Sequence, residues 1–424
     1  MGSGTFWRCT NHIYTSERKD KKGIMKILQI CHKTPYPPRD GGSIAMNNLT
    51  QGLIDHGHEV KVLAMNTPKS FIDIDKLPAD YRKNTSIEAV FIDTNIKIID
   101  AFLNLFKSSS YNIDRFISKD FETKLKDILE AGSFDVVQLE SLFLVPYLDV
   151  IRKYSSAKVV MRAHNVEFEI WMRRMQACKN ILKKQYLNLL ANRLKTYEVD
   201  HINSYDGIAA ITPRDAEMLR LHGCTIPITD IPIGMDLIDS EAIPRKSHGS
   251  PTSLFHLGSM DWMPNQEAIK WFLDDVWPKI TKAFPNLKLN LAGRNMPDWI
   301  LKSNFHNVIV EGEINNVKEY MASEDIMIVP LISGSGMRVK IIEGMAFGKV
   351  IISTSVGAEG INYEHEKDIL IANTANEYVE MVGKCFSDND LYHDIGDNAR
   401  VLARSQYDNK VIAEKLISFY KSLF

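Results

Sequence analysis

Residues 325–355 read DIMIVPLISGSGMRVKIIEGMAFGKVIISTS. A β-rich apolar run, DIMIVPL, ends in the turn residues SGSG; MRVKIIEGMAF then has helical periodicity, Gly348 closes it, and KVIISTS is a second β-rich run. Strand, helix and strand in that order are the signature of a parallel sheet covered by helices. Val339, Ile341, Ile342, Met345, Ala346 and Phe347 cover nearly every face of the helix, which is therefore expected to be buried. Within it stand Arg338, Lys340 and Glu343, and a buried carboxylate is costly without partners.

The same rhythm runs through the chain from Met25. KILQICH, HEVKVLAM, SIEAVFID, FDVVQLES, AKVVMRAH and GIAAITP read as strands of a first half, and SLFHLGS, LKLNLAGR, NVIVEGE, DIMIVPL, KVIISTS and DILIANT as strands of a second. Helical patterns fill the gaps, so the expected class is α/β, with two facing domains of parallel strands and a cleft between them. The alternation stops in DSEAIPRKSHGSPTS (239–253), which marks the boundary. The expected division is a non-native or disordered leader over 1–24, a first domain over 25–235, a linker over 236–252, a second domain over 253–406 and a helix over 407–424 that closes over both.

Composition narrows the function. The 51 Lys and Arg against 53 Asp and Glu leave a net charge of −2, so no global field holds the chain on nucleic acid. Five scattered cysteines, Cys9, Cys31, Cys178, Cys224 and Cys385, lack metal or disulfide spacing and suit a reducing cytoplasm. There is neither a membrane-spanning run nor a signal-peptide pattern, and Met25 is expected to open the folded part.

In an open parallel sheet, ligands bind beyond the carboxyl ends of the strands, and three stretches lie there. HKTPYPPRDGGS (32–43) carries Gly41 and Gly42 before a helix, where amides can receive an anion, but it has neither GxGxxG nor a Walker pattern; a plain flexible loop is the alternative. MRAHNVEFEIW (161–171) sets His164 at a strand end among Arg162, Asn165 and Glu167; a structural histidine is the alternative. In SGSGMRVK the amides of Ser335, Gly336 and Met337 can face an anion, with Arg338 and Lys340 adding charge. An intrahelical Lys340–Glu343 pair is the bland explanation, but such pairs contribute only about 0.3–0.5 kcal/mol when exposed. A nucleoside diphosphate, offering hydroxyls to the carboxylate and phosphates to the lysine, satisfies both groups.

PLISGSGMRVKIIEGMAFGKVIISTSVGAEGI resembles the donor-binding signature of family four retaining glycosyltransferases, which have the GT-B fold of two facing Rossmann-like domains. RAHNVE, IPIGMD (231–236), FHLGSMDWMPNQEAIKWF and the LAGR strand end extend the likeness over most of the chain. The resemblance implies that Glu343 binds ribose hydroxyls, that Lys340 with the amides of Gly336 and Met337 meets the diphosphate, and that Gly42 approaches from the first domain. It places His164 beside the transferred sugar as a catalytic group, the backbone around Val310, Glu311 and Gly312 at the base, and Arg294 near phosphate. It implies retention of anomeric configuration and no metal or other cofactor; the DxD pairs Asp73/Asp75 and Asp388/Asp390 read as solvated loop carboxylates.

Two departures stand out. The family's first glutamate, eight positions before the second, is Ser335 here, and the basic pair expected after the first strand of the second domain is replaced by Asp261, Trp262 and Asn265. The missing glutamate leaves a noncatalytic nucleotide-sugar-binding protein as an alternative, and a nucleotide-sugar epimerase, which also uses two facing domains of this kind, is another. WMRRMQACKNILKKQYLNLLANRLKTY (171–197) has seven basic residues and no acidic one, which suits either an anionic inner membrane surface with a lipid-linked saccharide acceptor or an ordinary solvated helix.

Overall fold

The computed structural model describes residues 23–97, 103, 104, 107, 109–237, 251–334 and 336–424. Nearly all of the expected leader, most of the linker and Ser335 lie outside the described residues. β1 (Lys26–Cys31) is buried along its length after the first residue, as befits a strand covered on both faces. It is followed by β2 (Glu59–Asn66), β3 (Glu88–Phe91), β4 (Val136–Glu140), β5 (Lys158–Ala163), β6 (Gly207–Ala210) and β7 (Ile228–Asp230). These form one seven-stranded parallel sheet in the order β3-β2-β1-β4-β5-β6-β7. The second half contributes β8 (Ser253–Leu257), β9 (Lys288–Ala292), β10 (Val308–Gly312), β11 (Ile326–Val329), β12 (Val350–Ser353) and β13 (Leu370–Ile371). Their order in a six-stranded parallel sheet is β10-β9-β8-β11-β12-β13.

All twelve runs read as strands form strands; β7, a short edge strand of half-buried residues, has too little apolar pattern to stand out. The helices that matter below are α1 (Gly41–Asp55), α2 (Glu167–Ala177), α3 (Ile181–Asp200), α4 (Pro213–Leu221), α5 (Met263–Trp271), α6 (Val339–Ala346), α7 (Asn389–Tyr407) and α8 (Asn409–Lys421).

Side chains alternate across the first sheet, with Leu28, Ile30, Val137, Leu139, Val159 and Met161 in one core and Ile27, Cys31, Val136 and Val160 in the other. The second core is closed by Met46, Leu49 and Leu53 of α1 and by Ile412, Leu416, Ile417 and Tyr420 of α8. The C-terminal helix thus packs against the first half, correcting the expectation that it covers both. Its apolar stripe is used up by α1 and the first sheet, and Lys415 reaches Asp230 at 2.7 Å. The two chain crossings lie side by side, because Met235 bridges Asp408: the Met235 amide donates to the Tyr407 carbonyl at 2.8 Å and the Asn409 amide to the Met235 carbonyl at 2.9 Å.

In the second sheet the ends of β8 and β9 touch. Gly293, just beyond β9, has φ +148°, and a Cβ there would sit 1.8 Å from the Gly258 carbonyl oxygen. Only glycine permits both the conformation and the approach. Gly293→Ala is therefore expected to cost about 2–4 kcal/mol, read as a lower urea midpoint with unchanged slope; an unchanged midpoint would contradict the packing described.

Candidate active site

Strand order reverses between β1 and β4 in the first sheet and between β8 and β11 in the second. The crevices at these switch points are where open parallel sheets hold ligands. The chain that leaves β11 turns through Gly334 (φ +114°) and Gly336 (φ +83°), then enters α6 with Arg338 at its N-cap. The first helical residue is thus Val339, so the amides of Gly336 and Met337 lie in the turn rather than in the helix itself.

Lys340 lies in the first turn of α6, where its Nζ is 3.2 Å from Asn265 Oδ1 and 3.5 Å from His256 Nε2. His256 is fully buried with Nδ1 3.1 Å from the Ile328 carbonyl, which assigns its proton to Nδ1 and its lone pair to the side facing Lys340. Burial, and then Lys340, holds His256 well below the ordinary imidazole range. Burial, followed by the charge of Arg338, pushes Lys340 down to about 7. Among the described residues no carboxylate pairs with it; its neighbours are neutral acceptors.

One turn further on, the Glu343 carboxylate has no hydrogen-bond or ion-pair partner among the described residues, and burial pushes it up to about 7. The intrahelical Lys340–Glu343 pair does not form, since Lys340 instead reaches α5. Arg338 is 6 % exposed, lies 5.1 Å from the centre of the Trp262 ring, and donates through Nη1 to the Gly336 carbonyl. Burial lowers it to about 10. Its observed contacts shape the turn.

The remaining residues of this half sit at the ends of β9 and β10. The register of β10 shifts between Val310 and Gly312, and the Gly312 carbonyl accepts from the Gly293 amide at 2.7 Å. Arg294 is exposed beyond β9. After the Ser259 hydroxyl, its charge is among the influences that hold the Asp261 carboxyl below its usual range.

In the first half, His164 follows β5 and its Nε2 is 2.7 Å from Oε2 of Glu140, the last residue of β4. His32, directly after β1, brings Nδ1 to 2.6 Å from the Glu140 carbonyl oxygen, and the His32 and His164 ring centres are 6.1 Å apart. Burial, then the neighbouring His164 and Lys33, pushes His32 down to about 3, so at physiological pH it is neutral, donating from Nδ1 to that carbonyl and keeping Nε2 as its acceptor. Arg162 makes no hydrogen bond to His164: its guanidinium donates to the Ile231 and Pro232 carbonyls at 2.6 and 3.2 Å, and its charge acts on Glu140 instead. Glu167 sits in the first turn of α2, where burial pushes its carboxyl up to about 7 against a hydrogen bond from Asn165.

Gly41 and Gly42 form the first turn of α1, but a carboxylate is already there. Asp40 accepts from the Ser43 amide at 2.9 Å and from Lys33 Nζ at 2.6 Å. An incoming phosphate would meet the Asp40–Lys33 pair beside Gly42 rather than bare amides.

The two halves meet around the site. A Cβ on Gly336 would lie 3.6 Å from Asn165 Oδ1, next to His164. Arg173 of α2 donates to both carboxylate oxygens of Glu359 at 2.8 and 3.1 Å, and Arg214 of α4 donates to Glu169. Beside this seam an open cavity of about 730 Å³ is lined by Arg174, Pro264, Ile332, Ser333, Ser355 and Val356 among others. The basic stretch 171–197 spans α2 and α3; Arg173 and Arg193 are engaged within the protein, while Lys179, Lys183 and Lys184 are exposed beside Ile181 and Leu182, 74 % and 78 % exposed.

Sequence reasoning brought Lys340, Glu343, Gly336, Met337 and His164 together and missed His32, Glu140 and His256. His32 and His256 had a signal, a histidine at or near the end of a first strand in each half. Glu140 had one too, a carboxylate inside the apolar run VVQLE.

Residues 251–388 match the family model of group 1 glycosyl transferases. An uncharacterized 44.6 kDa protein in the cps region of Klebsiella pneumoniae is 22% identical over 398 residues, covering 92% of this chain and 98% of that protein. Among solved structures, sucrose-phosphate synthase from Thermosynechococcus elongatus superposes with a TM-score of 0.65 at 15% identity, over 94% of this chain and 99% of that one. Anabaena HepE in complex with UDP-glucose superposes at 0.61 and 13% identity, over 94% and 100%. Residues 251–388 thus form a domain similar to the group 1 glycosyl transferases, and the two facing Rossmann-like parallel sheets give the chain the GT-B fold.

Proposed function

We propose that the protein moves a sugar from a nucleoside-diphosphate sugar to an acceptor hydroxyl with retention of anomeric configuration, in surface polysaccharide or glycan assembly. The observation that carries this is the pair Lys340 and Glu343 on one helix at a switch point, which among the described residues are a cation without a carboxylate and a carboxylate without a donor. A ligand with phosphates at one end and hydroxyls at the other answers both needs. HepE, a structural neighbour, holds UDP-glucose, and the K. pneumoniae relative belongs to a cps region, which supports the substrate class and the polysaccharide role.

In this reading the C1–oxygen bond to the diphosphate breaks, the acceptor oxygen bonds C1 on the same face, and the acceptor proton leaves with the departing diphosphate. Lys340 and the turn amides of Gly336 and Met337 stabilise the charge that develops on the leaving group, without calling on a metal or a cofactor. Gly42 and Arg294 flank the diphosphate, the backbone of Val310 and Gly312 faces the base, Arg338 holds the turn, and Ser335 stands where the family's sugar-contacting glutamate would be. Closure across the Arg173–Glu359 seam keeps water from the donor. Incubation with nucleotide sugars and a panel of saccharide acceptors, followed by NMR of the anomeric proton, tests it: a product with the donor's configuration is expected. Epimerised donor formed without acceptor would favour an epimerase, and donor binding without hydrolysis or transfer a noncatalytic protein.

No helix of the described residues is long and apolar enough to cross a membrane. The start of α3 suits a peripheral contact at the inner face of the cytoplasmic membrane, where a lipid-linked saccharide would be met, because Ile181 and Leu182 stand in water among Lys179, Lys183 and Lys184. Sedimentation with vesicles containing phosphatidylglycerol is expected to capture the wild type and to fall at least fivefold for the Ile181→Asp, Leu182→Asp double variant. Equal capture by neutral vesicles would refute an anionic surface.

A further inference from the structure

Glu140 has no exposed surface, yet three donors converge on its carboxylate. Oε2 takes His164 Nε2 at 2.7 Å; Oε1 takes Gln29 Nε2 at 2.6 Å and also Gln138 Nε2. The amide oxygens are filled in turn, as Thr50 donates to Gln29 Oε1 and Tyr420 of α8 donates to Gln138 Oε1. A hydrogen-bonded path therefore runs from the C-terminal helix through the first sheet to the histidine at the cleft. Burial pushes Glu140 up, but His164, Arg162 and Gln29 together hold it below the usual carboxylate range.

A buried charge of this kind is rarely worth its desolvation for stability alone, and apolar residues of similar volume often serve better. Its position argues for another role. Glu140 ends β4 and His164 follows β5, its neighbour in the sheet, so the strand pairing itself sets the carboxylate against the ring. A carboxylate bonded to one imidazole nitrogen fixes the tautomer and leaves the other nitrogen for chemistry.

We infer that Glu140 is a positioning residue for His164: its carboxylate holds the proton on Nε2 and leaves Nδ1 as the lone pair that accepts a hydroxyl of the bound sugar. This rests on the proposed transfer reaction only for the identity of the hydroxyl; the tautomer belongs to the free protein. Gln29, Gln138 and Tyr420 hold Glu140 in turn. The titratable and charged groups around the pair are His32, Cys31 and Lys33 on and after β1, Arg162 on β5 and Tyr420 on α8.

The test is long-range ¹H–¹⁵N correlation on the full chain with ¹⁵N-labelled histidine, the His164 signal being assigned by its loss in His164→Gln. The neutral ring of the wild type is expected to show the Nε2-protonated tautomer. Glu140→Gln, which keeps the shape and removes the charge, is expected to let the Nδ1–H tautomer appear beside it, read as changed ¹⁵N shifts at both ring nitrogens. Should Glu140→Gln fail to fold, Tyr420→Phe reads the same path and is expected to move the tautomer ratio in the same direction by a smaller amount. Where transfer is measurable, Glu140→Gln is expected to lower kcat about 10- to 100-fold with little change in the donor KM, and Glu140→Asp to recover part of it. A wild-type Nδ1–H tautomer, or a tautomer ratio unmoved by these variants, would overturn the assignment. UDP binding, followed separately, tells whether the proposed function has failed instead.

Discussion

Lys340→Ala is expected to weaken nucleoside-diphosphate binding about 10- to 100-fold, the range for a hydrogen bond made by a charged group to phosphate. The pH dependence should change with it. In the free protein Lys340 is held down to about 7 by burial and then by Arg338. A bound phosphate favours the ammonium form and raises its pKa. Binding therefore takes up a proton above pH 7, and wild-type affinity falls as pH rises from about 7 toward 9. Lys340→Ala removes that alkaline limb along with the affinity, as isothermal titration at several pH values would show. An affinity within twofold of wild type would place the phosphate elsewhere.

Glu343→Gln is expected to do two opposite things, stabilising the empty protein while weakening the ligand. The folded carboxyl is raised to about 7 by burial, from an ordinary 4.5. A carboxyl raised in the folded state favours folding while it is protonated, and that advantage is lost between the ordinary value and the folded one. The wild type thus loses stability between about pH 4.5 and 7, and glutamine does not. Since the side chain keeps some exposure, about 1–2 kcal/mol is expected at pH 8, seen as a higher melting temperature for Glu343→Gln there and little difference near pH 4. Ribose hydroxyls that donate to the carboxylate lose their acceptor charge, so nucleotide affinity should fall about tenfold. A variant less stable than the wild type at pH 8 would mean that Glu343 has a partner in the fold.

Both effects come from one helix, and that helix was legible because its chemistry conflicts with its setting. Charged residues in MRVKIIEGMAF, at a strand end and between apolar positions, mark a place where local preference yields to function. The sheets were legible for a similar reason, since doubly covered parallel strands such as KILQIC and IMIV read as continuous apolar runs. What escaped was cross-strand. Glu140 meets His164 only because β4 and β5 pair in register, and Lys340 meets His256 and Asn265 only because β8 lies beside β11. The course of α8 escaped as well, because an amphipathic stripe at the chain's end says that it is covered without saying by what. Asp40 shows the reverse case: a helix N-terminus that looks ready for an anion carries its own.

The central claim is that the entrance of α6 binds a nucleoside diphosphate through Lys340 and Glu343. Thermal melting of the wild type, Lys340→Ala and Glu343→Ala against UDP, GDP, ADP and their sugars tests it most directly, because a ligand bound to the native state raises the melting temperature. The prediction is that at least one nucleotide stabilises the wild type by several degrees and both variants much less. No shift with any nucleotide, or equal shifts in the variants, would contradict the claim.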